Sequence, residues 1–132
     1  MARWFYVRYA TGMKRLDLIF RINKLIRVIE ASTELDALNL SAREILKFIA
    51  ERHAEGLQTR SSDVIQKTGL GTPPTIYQRL SELEEAGWIE SMPDPGDGRA
   101  KHLVLTPRAE KAFRQMSKEL ARLSGNGSLA AG

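Results

Sequence analysis

Residues 59–91 read TRSSDVIQKTGLGTPPTIYQRLSELEEAGWIES, and the punctuation inside this stretch decides the fold. A helical pattern starts near Thr59 or Ser61 and carries Val64 and Ile65 as far as Lys67. TGLG (68–71) ends it, because Gly69 can take the positive φ that closes a helix. Thr72 is then a natural N-cap, and Pro73 suits the first helical position, where its missing N–H costs nothing. The second helix turns Ile76, Leu80 and Leu83 inward and stops at Gly87. Two helices joined by a tight glycine-bearing turn form a helix-turn-helix, although an arbitrary helical hairpin would share that spacing.

The residues downstream separate the two. WIESM (88–92) and KHLVLT (101–106) are strand-like, and PDPGDGRA (93–100) between them reads as a turn or open loop. A helix-turn-helix followed at once by a β-hairpin is a winged helix. The expected fold class is therefore mainly α with a small β-hairpin wing, over residues 38–106.

Working outward, Thr106-Pro107 repeats the cap-then-proline signal. It opens a helix over 107–123 with Ala109, Ala112, Phe113, Met116, Leu120 and Leu123 on one face. The last residues, SGNGSLAAG (124–132), have the composition of a disordered tail. Upstream, SARE (41–44) reads as a capping box in which Ser41 and Glu44 satisfy each other's backbone. Ala42, Ile45, Leu46 and Ile49 follow at helical spacing, and Gly56 closes that helix. LDLIFRINKLIRVI (16–29) has nine apolar positions in fourteen, with only a thin polar strip through Asp17, Arg21 and Lys24. An ordinary surface helix needs an apolar stripe of about 100°. This one, part of a helix over 13–31, expects burial on more than one side, either against a second subunit or inside a monomeric core. Residues 1–12, with the aromatic run RWFYVRY (3–9), read as an N-terminal arm that is either a docked strand or frayed.

Composition narrows the function classes. The chain has 132 residues, a net charge of +4 and no cysteine, which removes disulfides, thiol catalysis and thiolate metal sites. No stretch approaches the roughly 20 apolar residues that span a bilayer, so a cytoplasmic location and no membrane partner are expected. Charge is segregated: residues 1–30 sum to +5, 31–60 to −1, 61–90 to −3 and 91–132 to +3. Basic ends fit a polyanion partner as well as they fit simple solubility. The two histidines, His53 and His102, fall in different elements. PGDG lacks the Gly-Lys-Ser/Thr of a phosphate loop, and no nucleophile–base pair is visible. Neither enzyme, nor metal site, nor cofactor is expected.

The segments LNLSAREILKFIA, GLGTPPTIYQRLSELEEAGWIES and DGRAKHLVLTPRAEKAF, in that order, resemble the MarR family of bacterial winged-helix transcription regulators. The most specific pieces are Asp97-Gly98-Arg99 with Leu105-Thr106 in the wing, and Leu83-Glu84-Glu85 with Gly87-Trp88 at the end of the recognition helix. The resemblance covers about residues 14–123. It implies a homodimer on double-stranded DNA with a near-palindromic operator, the terminal helices making the dimer interface. Leu16, Ile19, Phe20, Ile22, Ile26 and Ile29 from the N-terminal helix, with Phe113, Met116 and Leu120 from the C-terminal one, are its expected residues. Family members usually continue into a further long helix, whereas the sequence here turns to Gly and Ser after Leu123. Dimerisation is then expected to lean on the N-terminal helix.

Within this frame, Thr72, Thr75, Tyr77, Gln78 and Arg79 lie on the N-terminal half of the recognition helix and off its core stripe. Gln78 suits adenine, and Arg79 suits guanine or a phosphate. Thr72 and the helix N-terminus suit a phosphate. Arg99, Lys101 and His102 are the expected wing contacts, with Asp97 as the structural partner that orients Arg99. Arg60 and Lys67 are further phosphate candidates. Relatives often bind a small aromatic or lipophilic effector, for which Phe20, Arg21, Phe48 and His53 are candidate lining. Two other readings fit the same residues: a winged helix used as a protein-interaction module, favoured by the acidic balance of 61–90, and a DNA-binding accessory factor without an effector.

Overall fold

The computed structural model describes residues 2–123, with side-chain surroundings from Asp17 onward. The elements in order are α1 (Ala2–Ala31), a 3₁₀ turn (Glu34–Ala37), α2 (Leu40–Ala54), α3 (Ser61–Thr68), α4 (Pro73–Glu85), β1 (Ile89–Asp94), β2 (Asp97–Leu105) and α5 (Pro107–Leu123). The chain forms two compact units, one of residues 34–115 and one that includes α1 and the end of α5 from Met116. The expected tail, 124–132, and the side chain of Leu16 lie outside the described residues.

The 34–115 unit is built around Leu35, Ile45, Leu46, Ile49, Val64, Ile76, Leu83, Trp88 and Ile89, each essentially without solvent contact. The stripes read from α2, α3 and α4 all face this core. Gly69 ends α3 at φ +64° and Gly87 follows α4 at φ +80°, both in the left-handed region where a Cβ is strained. The two-stranded sheet is antiparallel, with Ile89 opposite Leu105, Ser91 opposite Leu103 and Pro93 opposite Lys101. Thr59 adds one more bridge, its carbonyl accepting from the Leu103 N–H at 2.7 Å. That contact ties the segment leading into α3 to the wing.

Three expectations are corrected. α2 starts one residue before Ser41, and its cap is Asn39: the Asn39 side chain accepts from the Ala42 N–H at 2.8 Å, while the Ser41 hydroxyl donates to Asn39 Oδ1. Two capping residues two positions apart compete for the same orphan N–H groups, and the amide oxygen wins. The segment before residue 13 is neither strand nor arm, because α1 runs unbroken from Ala2. It holds no proline, and the one glycine, Gly12, weakens a helix by about 1 kcal/mol without ending it.

The third correction concerns the wing. Most of PDPGDGRA is strand, leaving only Pro95-Gly96 between β1 and β2. The register jumps from Pro93↔Lys101 to Asp94↔Asp97, so residues 98–100 fall out as extra residues on β2. Asp94 Oδ1 accepts from the Gly96 N–H at 2.8 Å and closes the turn.

The capping assignment predicts that Asn39→Ala lowers stability by about 1 kcal/mol, whereas Asn39→Ser, which keeps a capping oxygen, costs less than half of that. Chemical denaturation of the two variants checks it, and an unchanged stability of Asn39→Ala would remove the cap from Asn39.

Candidate nucleic-acid interface

α4 presents Pro74, Tyr77, Gln78 and Ser81 to solvent, at positions that repeat every three or four residues and so share one face. This face exists because Ile76, Leu80 and Leu83 take the opposite side into the core. At the start of the helix Thr72 is exposed and Thr75 half-buried, their hydroxyls 3.1 Å apart. Ser81 and Pro74 were missed by sequence reasoning, although the period of the helix places them.

Arg79 stands apart from this face. Its Nε donates to the Ser41 hydroxyl at 3.0 Å, and Nη1 donates to both Glu82 carboxylate oxygens at 3.0 and 3.2 Å. The side chain is only 26% exposed. These bonds join α4 to the first turn of α2.

In the wing, Arg99 and Lys101 are both exposed. Asp97 Oδ1 accepts from the Arg99 backbone N–H at 3.0 Å, which fixes the main chain that carries the arginine. His102 follows Lys101 directly, so in a strand it points to the other face. It is half-buried, with Nδ1 buried and without a hydrogen-bond partner among the described residues. Arg99 and Lys101 are thus the exposed cations of the wing, and His102 is set apart from Lys101.

The two remaining cations are engaged within the fold. Arg60 Nη2 lies 2.6 Å from Asp94 Oδ2, a pair in which the carboxylate side chain is 10% exposed and the guanidinium 50%. The Arg60 backbone N–H donates to Asp63 Oδ2 at 2.8 Å, capping α3. Asp63 also faces Lys67 at 3.5 Å and Arg52 at 3.7 Å. Arg52 donates in turn to Thr59 Oγ1 at 3.0 Å and to the Gln58 carbonyl at 2.6 Å. The Arg60–Asp94 pair holds the start of α3 against the wing turn. Asp63, Asp94 and Arg52 were not singled out from sequence. Asp63 sits at the third helical position, where an acid is a start signal, and Asp94 opens a D-P-G-D turn.

The residues expected at the dimer interface are placed variously. Ile19 and Phe20 are exposed, Ile22 and Ile26 half-buried and Ile29 buried. Phe113, Met116 and Leu120 are half-buried. Leu18 (64% exposed) and Val28 add to the apolar surface of α1. Of the effector candidates, Phe48 lines a cleft of about 250 Å³ between α2 and the end of α3, with Glu44, Lys47, Lys67 and Leu70. His53 lies outside it, 3.9 Å from Glu110, and Arg21 pairs with Asp17 at 2.8 Å. Among the described residues no cluster of His, Asp and Glu could hold a metal ion, and no helix is long and apolar enough to cross a membrane.

Two carboxylates of this charge network are held below the usual range. For Asp63 the main cause is the Arg60 backbone N–H, with Arg52 and Lys67 adding to it. For Asp94 it is the Gly96 N–H and then Arg60. A depressed folded-state value contributes stability above the unfolded value, about 4, and loses it as the pH falls further. Asp63→Asn is therefore expected to lower stability by on the order of 1 kcal/mol at neutral pH. The gap from the native chain should close below about pH 4. Thermal melts across pH check this, and a gap independent of pH would contradict it.

Residues 38–109 match the family model described as winged helix DNA-binding domain. No curated protein matches in sequence. Among solved structures, the transcriptional regulator Tm0710 from Thermotoga maritima is 19% identical with a TM-score of 0.65, over 90% of this chain and 82% of that one. MepR of S. aureus bound to ethidium bromide is 18% identical with a TM-score of 0.61, over 82% and 76%. A MepR variant bound to an oligodeoxyribonucleotide is 20% identical with a TM-score of 0.60, over 83% and 78%. The chain belongs to the winged helix DNA-binding domain family, and its fold is that of the MarR-type regulators.

Proposed function

We propose that this chain is a sequence-specific, double-stranded-DNA-binding transcription regulator of MarR type, acting as a homodimer on a near-palindromic operator. The observation that carries it lies within the 34–115 unit. A recognition helix exposes a polar face, and the adjoining wing carries an exposed Arg99 and Lys101 on a bulged strand. The α4 face would enter the major groove with its N-terminal half, and Thr72 would meet a phosphate at the helix N-terminus. Arg99, its backbone fixed by Asp97, would enter the adjoining minor groove, where negative potential is concentrated. Lys101 would add a phosphate contact.

Homodimerisation is supported by the large apolar side chains that α1 leaves exposed in a single chain, Leu18, Ile19, Phe20 and Val28. A small aromatic effector is supported by the Phe48 cleft and by the ethidium held by MepR. The protein-interaction reading keeps one observation in its favour: Arg60, Lys67 and Arg79, expected as DNA contacts, are already paired with acids.

In vitro selection from a random duplex pool tests the proposal. It should enrich an inverted repeat with half-sites about one helical turn apart. Absence of enrichment would favour the interaction module. Arg99→Ala should weaken binding to all sequences alike and reduce the salt slope by about 1 per wing. Unchanged affinity would remove the wing from the interface.

A further inference from the structure

Base recognition in the major groove has a simple chemical inventory. Guanine is read chiefly by Arg or Lys, adenine by Asn or Gln, and thymine by apolar contact with its C5 methyl. The recognition helix has one cation in its length, Arg79. That guanidinium donates to Ser41 and to both oxygens of Glu82, and it is largely covered. The face that remains, Pro74, Tyr77, Gln78 and Ser81, is exposed and uncharged. Tyr77 presents a large apolar ring to solvent, 53% exposed, which a helix in isolation has no reason to keep. Gln78 has only a long contact, 3.5 Å, to Glu82, so its amide is free to turn to a base edge. The C-terminal half of the helix carries exposed Glu84 and Glu85, which would repel a phosphate backbone and confine the contact to the N-terminal half.

We infer that the half-site is A·T-rich, read through Gln78 on adenine and through Pro74 and Tyr77 on thymine methyls, with Arg79 positioning the helix instead of reading guanine. This deepens the DNA-binding proposal and rests on it. The wing agrees in chemistry: an arginine entering the minor groove favours the narrow groove of A·T runs. Arg79 acts through Ser41 and Glu82. It fixes the angle between α4 and the first turn of α2, and hence which bases the face can reach.

The test uses the full chain and the duplex that emerges from selection. Half-sites should be dominated by A·T pairs opposite the α4 face. Replacing thymine there by deoxyuridine removes only the methyl, and affinity should fall about fourfold for each buried methyl. Arg79→Ala should lower the melting temperature and weaken binding while the selected motif keeps its bases; if that variant does not fold, Arg79→Gln retains a donor toward Ser41 and serves instead. A conserved guanine in each half-site that becomes degenerate in either variant would overturn the inference, as would equal binding of the uracil duplex. Those results leave DNA binding intact. A chain that binds no duplex at any salt concentration overturns the inference and the DNA-binding proposal together.

Discussion

The corner at Gly87-Trp88 is the constraint on which the winged helix depends. The chain must leave α4, reverse and enter β1 within three residues, Ala86 to Trp88. Gly87 supplies the left-handed backbone, and the Trp88 N–H returns to the Leu83 carbonyl at 2.9 Å. Thr106, just past the end of β2, closes the same corner, its hydroxyl donating to the Gly87 carbonyl at 2.6 Å and its N–H to the Trp88 carbonyl at 3.2 Å. The indole is fully buried beneath the Arg108 guanidinium, 4.2 Å from the ring centre. Arg108 also binds the Ala86 carbonyl and Glu34. This one corner thus joins the end of the recognition helix, the ends of both strands and the start of α5. The placement of α4 relative to the wing is set here, and the proposed engagement of one duplex by both depends on it.

A second set of contacts controls the far side of the wing. Arg60 reaches Asp94 while its own N–H is capped by Asp63, so the start of α3 and the wing turn share a charge network. Surface ion pairs contribute little stability singly. Their value here is geometric, because they limit where the bulged residues 98–100 can lie. With those cations committed in this way, Arg99 and Lys101 are the exposed cations of the wing on which the proposed DNA contact rests.

Much of this was legible in the sequence, for identifiable reasons. Gly69, Thr72-Pro73 and Gly87 are local punctuation with one structural meaning each, so the helix-turn-helix could be read from them. The wing loop could not. Pro and Gly counts cannot tell an open loop from a strand with a three-residue bulge, because the difference lies in cross-strand register. The cap of α2 was misread because Asn39 and Ser41 both satisfy the local rule, and only the backbone conformation chooses between them. Arg79 illustrates the wider limit. Its sequence position suits a base contact, and only tertiary placement beside Ser41, 38 positions earlier, shows that it is engaged elsewhere.

The measurement that tests the central claim most directly is the affinity of the chain for duplex DNA as a function of salt concentration. A protein gripping phosphates through the wing and the helix start releases counterions, so the logarithm of the binding constant should fall linearly with the logarithm of salt concentration. A steep negative slope on both random and selected duplexes, with the selected one bound more tightly throughout, is the result expected of a sequence-specific winged helix. A flat dependence, or equal affinity for every duplex, would contradict it.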